Sequence, residues 1–180
     1  RRAHVLDPSN LDLQMIEANA LFRLGRSQEA ATVLAPLAGA ARERAEWDAA
    51  TDIAVSLSAL ERYDEAQALV TEAADELRAA GALRQYAHAL CAQTQVTTRR
   101  GDLAAAYVAG TASLRLSEEV AEPLQIAFAA SFLSACEALL GLEPDVRAHA
   151  AAAIDATGGQ EKVRTTLEAR AALGLLELQL

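Results

Sequence analysis

Leu24-Gly25-Arg26-Ser27-Gln28-Glu29-Ala30 is the stretch whose reading decides the fold, because it returns three times. Leu60-Glu61-Arg62-Tyr63-Asp64-Glu65-Ala66 repeats it, followed by Arg100-Gly101-Asp102-Leu103-Ala104-Ala105-Ala106 and Leu140-Gly141-Leu142-Glu143-Pro144-Asp145-Val146. With Gly25, Glu61, Gly101 and Gly141 taken as equivalent, the spacings are 36, 40 and 40 residues. A fixed period of this size marks a stack of helix pairs. Seven residues before each turn stand Ala18, Ala54, Thr94 and Ser134, and five after stand Ala30, Ala66, Ala106 and Val146. Small side chains at two fixed places let paired helices approach closely. A fifth turn is expected at position 181, which makes Gly174 the next small residue in register.

Working outward, the first pair opens after Asp7-Pro8-Ser9-Asn10, a stop-and-restart signal that closes a preceding helix over Arg1 to Leu6. Its first helix runs through Leu13, Ile16, Ala20, Leu21 and Leu24, apolar at three- and four-residue steps. Ser27 is expected to cap the second helix, and Pro36 to kink it or end its first part. Later pairs end at Gly81 and near Val120, and a fourth opens at Glu122-Pro123 and stops at Gly158-Gly159. Lys162 to Leu180 forms a last helix without a partner, giving nine helices. The expected fold is all-α, a right-handed solenoid of antiparallel helix pairs with about four and a half repeats. Their approximate spans are 9–45, 46–81, 82–121, 122–159 and a half repeat 160–180, within one domain 1–180 that reads as an excised fragment.

The composition agrees. The 180 residues are 52% hydrophobic but only 4% aromatic, with alanine supplying much of the apolar share. The net charge is −9, and neither half carries a basic stripe, which argues against direct contact with nucleic acid. Two cysteines, Cys91 and Cys136, give no disulfide framework and fit a cytoplasmic protein. No apolar run near 18 residues is free of charge, so a membrane span is not expected.

The first unit resembles a tetratricopeptide repeat, with Pro8 closing the previous unit, Ala18 and Ala30 at small positions, and Leu21, Gly25 and Leu34 at landmark spacings. The later units are longer and place Thr97 and Glu137 where that family usually has a large aromatic. Arg100-Gly101-Asp102-Leu103-Ala104-Ala105-Ala106 and Leu114-Arg115-Leu116-Ser117-Glu118-Glu119 are similar to the helical-repeat region of large ATP-binding LuxR-type (MalT-like) transcriptional regulators. That resemblance implies a non-catalytic sensor and assembly region. It would bind a partner protein, peptide or small-molecule inducer, form homo-oligomers, and leave ATP and DNA to other domains. Lys162 is the only lysine, so no G-x-x-x-x-G-K-[ST] loop exists and no cofactor is expected here. The alternative is a stand-alone tetratricopeptide adaptor unrelated to transcription.

Tetratricopeptide-like geometry would turn one face of the first helices into a concave groove. It would present Asp12, Met15, Asn19, Phe22 and Arg23, then Asp48, Thr51 and Val55, then His88, Cys91, Gln95, Arg99, Phe128 and Ser131. Apolar anchors with a few polar groups suit a peptide or a modest ligand. His88 and Cys91 share a helix face at metal-ligand spacing, but zinc requires two further ligands that this stretch does not supply. The paired carboxylates Asp64/Glu65, Asp75/Glu76 and Glu118/Glu119 diverge around their helices and read as solvated faces or dipole partners. An enzyme would need His88, Cys136 or His149 to cluster with carboxylates in a pocket. Trp47, the only tryptophan, is expected to pack at the junction of the first two repeats.

Overall fold

The computed structural model describes residues 10–158 and 164–179, and these are all-helical, with no strand. The helices are α1 (Leu11–Arg23), α2 (Ser27–Leu34), α3 (Leu37–Arg44), α4 (Trp47–Ala59), α5 (Tyr63–Ala79), α6 (Leu83–Arg100), α7 (Leu103–Glu119), α8 (Pro123–Leu140), α9 (Glu143–Ala156) and α10 (Arg164–Glu177). Among the described residues the expected nine helices appear as ten segments, because Pro36 ends the first part of one of them, as expected, and divides it into α2 and α3: it has no N–H to donate and stands at the N-cap of α3. The restart at Pro8 and the residues from Gly159 to Val163, including Lys162, lie outside the described residues.

Helix starts follow local chemistry. The Asn10 side chain accepts from the Leu13 amide at 3.1 Å and caps α1. Asp102 does the same for Ala105 at the start of α7. Ser27 does not cap α2, contrary to expectation; it is the first helical residue, and the preceding Arg26 makes no side-chain cap bond. Arg26 instead reaches forward to Glu29, its Nε 2.6 Å from the carboxylate.

Helix ends share one geometry. Gly25, Glu61, Gly101 and Gly141, the four turn positions equated from sequence, all have positive φ. So do Ala45, Gly81 and Ala121, which end the second helices. At Gly25 the amide donates to the Phe22 carbonyl at 2.9 Å and the next amide, on Arg26, donates to Leu21 at 2.9 Å. The same two-bond pattern closes α4 (Glu61 to Ser58, Arg62 to Leu57) and α8 (Gly141 to Ala138, Leu142 to Glu137). This is the Schellman motif, which satisfies carbonyls that a helix end leaves orphaned.

The helices pack as neighbouring pairs: α1 with α2, α4 with α5, α6 with α7, and α8 with α9. The first helix of each pair also touches the first helix of the next, along α1, α4, α6, α8 and α10. Ala18, Ala54, Thr94 and Ser134 are buried, as are Ala30, Ala66, Ala106 and Val146. Gly174 breaks the series, being exposed with open space where a Cβ would stand. In this last helix Ala172, two residues earlier, is buried instead. Among the described glycines Gly110 marks a close helix approach, where a Cβ would come within 2.9 Å of Leu133 Cδ1 and 3.2 Å of Thr94 Cγ2. Trp47 is half-buried and packs on the cluster around Ile53 and on that around Leu77.

Among the described helices α8 alone is long and apolar enough to cross a membrane, yet more than half of it is buried. Its apolar surface is spent on α7, α9 and α10. Its single charge, Glu137, is fully buried and held by His149 Nδ1 at 2.8 and 3.0 Å from the two carboxylate oxygens. At the corresponding place in α6, Thr97 is buried and bonds to the Gln93 carbonyl at 2.7 Å.

Candidate binding groove

The face along which α4, α6, α8 and α10 meet carries a cavity of about 460 Å³. Three- and four-residue steps along each helix aim side chains at one side. Thus α4 supplies Asp48, Asp52 and Val55, α6 supplies Arg84, His88, Cys91 and Gln95, and α8 supplies Gln125 and Phe128. Beside it, against α1, lies a second cavity of about 620 Å³ lined by Met15, Ile16, Asn19, Phe22, Arg23, Val55 and Arg99. Asp52, Val55 and Arg164 line both, so the two spaces adjoin across them.

Of the residues singled out from sequence, the structure therefore gathers His88, Cys91, Gln95 and Phe128 in one cavity and Met15, Asn19, Phe22, Arg23 and Arg99 in the other. Thr51 and Ser131 belong to neither. Thr51 is fully buried, with its hydroxyl donating to the Trp47 carbonyl at 2.9 Å, and Ser131 is buried, donating to Phe128 at 2.9 Å. Both satisfy their hydroxyls on their own helix and face inward, a place that a small polar side chain fills as readily as it fills a groove. Asp12 lies in neither cavity, whereas Asp48 and Val55 do line the groove.

Electrostatically the two chambers differ. In the first, His88 Nε2 stands 3.5 Å from Asp52 Oδ1, and Arg84 pairs with Glu122 at 2.9 Å. Loss of hydration pushes the Asp52 carboxyl upward, opposed by His88 and reinforced by Asp48 and Asp12. Burial pushes the Cys91 thiol up to about 12, which keeps it protonated and unreactive at neutral pH. In the second chamber, Arg99 donates from Nη1 to Ser58 Oγ at 2.6 Å and to the Val55 carbonyl at 3.3 Å. Loss of hydration lowers its pKa, with Arg164 adding to the effect.

Arg164 is the functional candidate that sequence reading missed. Its Nη2 donates to Gln95 Oε1 at 3.2 Å, and its guanidinium lies 5.4 Å above the Phe132 ring, which in turn stacks on Phe128. A signal was there: Arg164 follows Leu124, another groove residue, by one 40-residue period. No group of three or more His, Cys, Asp or Glu side chains suited to a metal ion occurs among the described residues. His149, tied to Glu137, and Cys136, whose thiol is directed 3.5 Å from the Leu103 carbonyl, line neither groove cavity.

No protein-family model, curated protein or solved structure matches this chain.

Proposed function

We propose that this chain is a right-handed, tetratricopeptide-like solenoid. It serves as the non-catalytic sensor and assembly region of a LuxR-type transcriptional regulator. One observation carries the binding part of this reading: two adjoining cavities run along the successive first helices, where stacked repeats commonly expose their binding face. The recurring turn geometry at Gly25, Glu61, Gly101 and Gly141 supports the repeat part. The regulator assignment draws on the resemblance of the Arg100–Ala106 and Leu114–Glu119 stretches.

The mechanism is a population shift. A ligand that contacts α1, α4, α6 and α8 together binds best at one relative setting of those helices. It thereby favours that setting and whatever assembly goes with it. Val55 sits where the cavities meet, so Val55→Trp in the intact gene product fills the groove. The expected outcome is a helical protein that no longer responds to its inducer in a reporter assay. An unchanged response would place sensing elsewhere.

A further inference from the structure

We infer that the chamber between α1 and the C-terminal turn of α6 is an anion subsite that takes the carboxylate of a small organic acid with an apolar body. This rests on the groove reading above and adds the chemistry of its ligand.

The observation is a pattern of pairing. In a chain of net charge −9, carboxylates outnumber cations and arginines find partners readily. Arg26, Arg42, Arg62, Arg84, Arg100 and Arg147 each hold a carboxylate within 3.0 Å or, for Arg100, 3.2 Å. Among the described residues Arg23 and Arg99 form no ion pair with a carboxylate, and they line the same cavity. Arg164 joins them there, with its Nε 3.7 Å from Glu168, and the only carboxylate in the lining, Asp52, faces His88.

Arg99 has only Nη1 engaged, by a hydroxyl and a carbonyl, so its Nε and Nη2 edge is left for a planar acceptor. Partial loss of hydration and the neighbouring Arg164 lower its pKa, an effect that Glu168 opposes and that an incoming carboxylate would oppose further. The rest of the wall combines the apolar Met15, Ile16, Phe22, Val55 and Ala59 with Asn19 and Ser56, whose hydroxyl donates to Asn19 Oδ1 at 3.2 Å. Ile16 and Phe22 are left 61% and 40% exposed, more than a core position would allow. About 620 Å³ suits a drug-sized molecule. The fit is to an acid whose carboxylate lies between Arg23 and Arg99 and whose apolar part covers Phe22 and Val55.

Octanoate and its neutral counterpart octanamide are suitable probes, titrated into the chain by calorimetry or by chemical-shift mapping. Octanoate is expected to bind, with Arg23→Gln and Arg99→Gln each weakening it at least tenfold and Arg99→Lys restoring part of the loss. Octanamide is expected to bind at least tenfold more weakly to the wild type. Equal binding of the two probes, abolished by Val55→Trp, would overturn the anion subsite while leaving the groove as a binding face. Octanoate binding that neither arginine variant alters would overturn it as well, as would no octanoate binding at all. Arg23 and Arg99 are exposed, so the glutamine variants should remain folded, and a circular dichroism melt checks this.

Discussion

At the residue scale the turns are the most informative positions. A left-handed backbone costs a residue with a Cβ about 1–2 kcal/mol and costs glycine nothing. Gly25, Gly81, Gly101 and Gly141 meet this demand, whereas Ala45, Glu61 and Ala121 occupy the same conformation under strain. Glu61→Gly should therefore stabilise the chain by about 1 kcal/mol, less the entropy that glycine loses on folding, and raise the midpoint of a thermal melt. A lowered midpoint would mean that the Glu61 side chain makes contacts worth more than the strain. Gly110 is the converse case. It has no neighbour of its kind in the repeat pattern, and only coordinates reveal that Leu133 and Thr94 close over it. Gly110→Val should destabilise by roughly 2 kcal/mol, because Leu133 is fully buried and cannot swing away. A denaturant midpoint equal to that of the wild type would contradict the close approach. Ala54→Leu, at a fully buried crossing, should cost roughly 1–3 kcal/mol by the same mechanism.

At the element scale, helix positions were legible in the sequence, but the stripe expected to face inward on α1 does not: Ile16 and Leu24 are 61% and 72% exposed, and Leu11 and Ala18 are its buried residues. The repeat positions fared better, with Ala18, Ala30, Leu34 and Val146 all inside. Polar residues were harder to place. Thr51 and Ser131 follow the groove register yet turn inward, since a hydroxyl can bond to its own helix and needs no solvent. Gly174 misled for another reason: the inward face of the last helix is set two residues from the 40-residue register, with Ala172 rather than Gly174 buried. Glu137 was recognised as anomalous, but its partner His149, twelve residues on and in the next helix, was not. That pair has a pH signature. The bond to Glu137 raises the His149 pKa in the folded chain above the roughly 6.5 of an unfolded histidine. The resulting stability is fully present below the unfolded value and is lost as pH rises through the folded one. Urea unfolding at pH 6 and pH 9 should show the wild type losing more stability than His149→Gln over that interval. Parallel losses in the two proteins would argue against the linkage. At pH 6 the same variant should be less stable by roughly 3 kcal/mol, because it leaves a buried carboxylate without its cation.

At the scale of the whole molecule, the groove was partly visible beforehand because its lining recurs with the helices. His88 and Phe128 stand one 40-residue period apart, as do Gln85 and Gln125, and all four line the same cavity. What the sequence hid was the meeting of distant parts. Arg164 reaches Gln95 across 69 residues, and Arg99 reaches Ser58 across 41. The chamber against α1 thereby gathers Arg23, Arg99 and Arg164 around a single carboxylate, Asp52, a grouping that no local pattern encodes. The proposed regulator role requires particular domains on either side, so the decisive measurement is to sequence the coding DNA flanking this segment. The expected result is an open reading frame that continues into a P-loop NTPase upstream and a helix-turn-helix downstream. A frame that encodes neither would contradict the regulator assignment and favour a free-standing repeat adaptor built on the same groove.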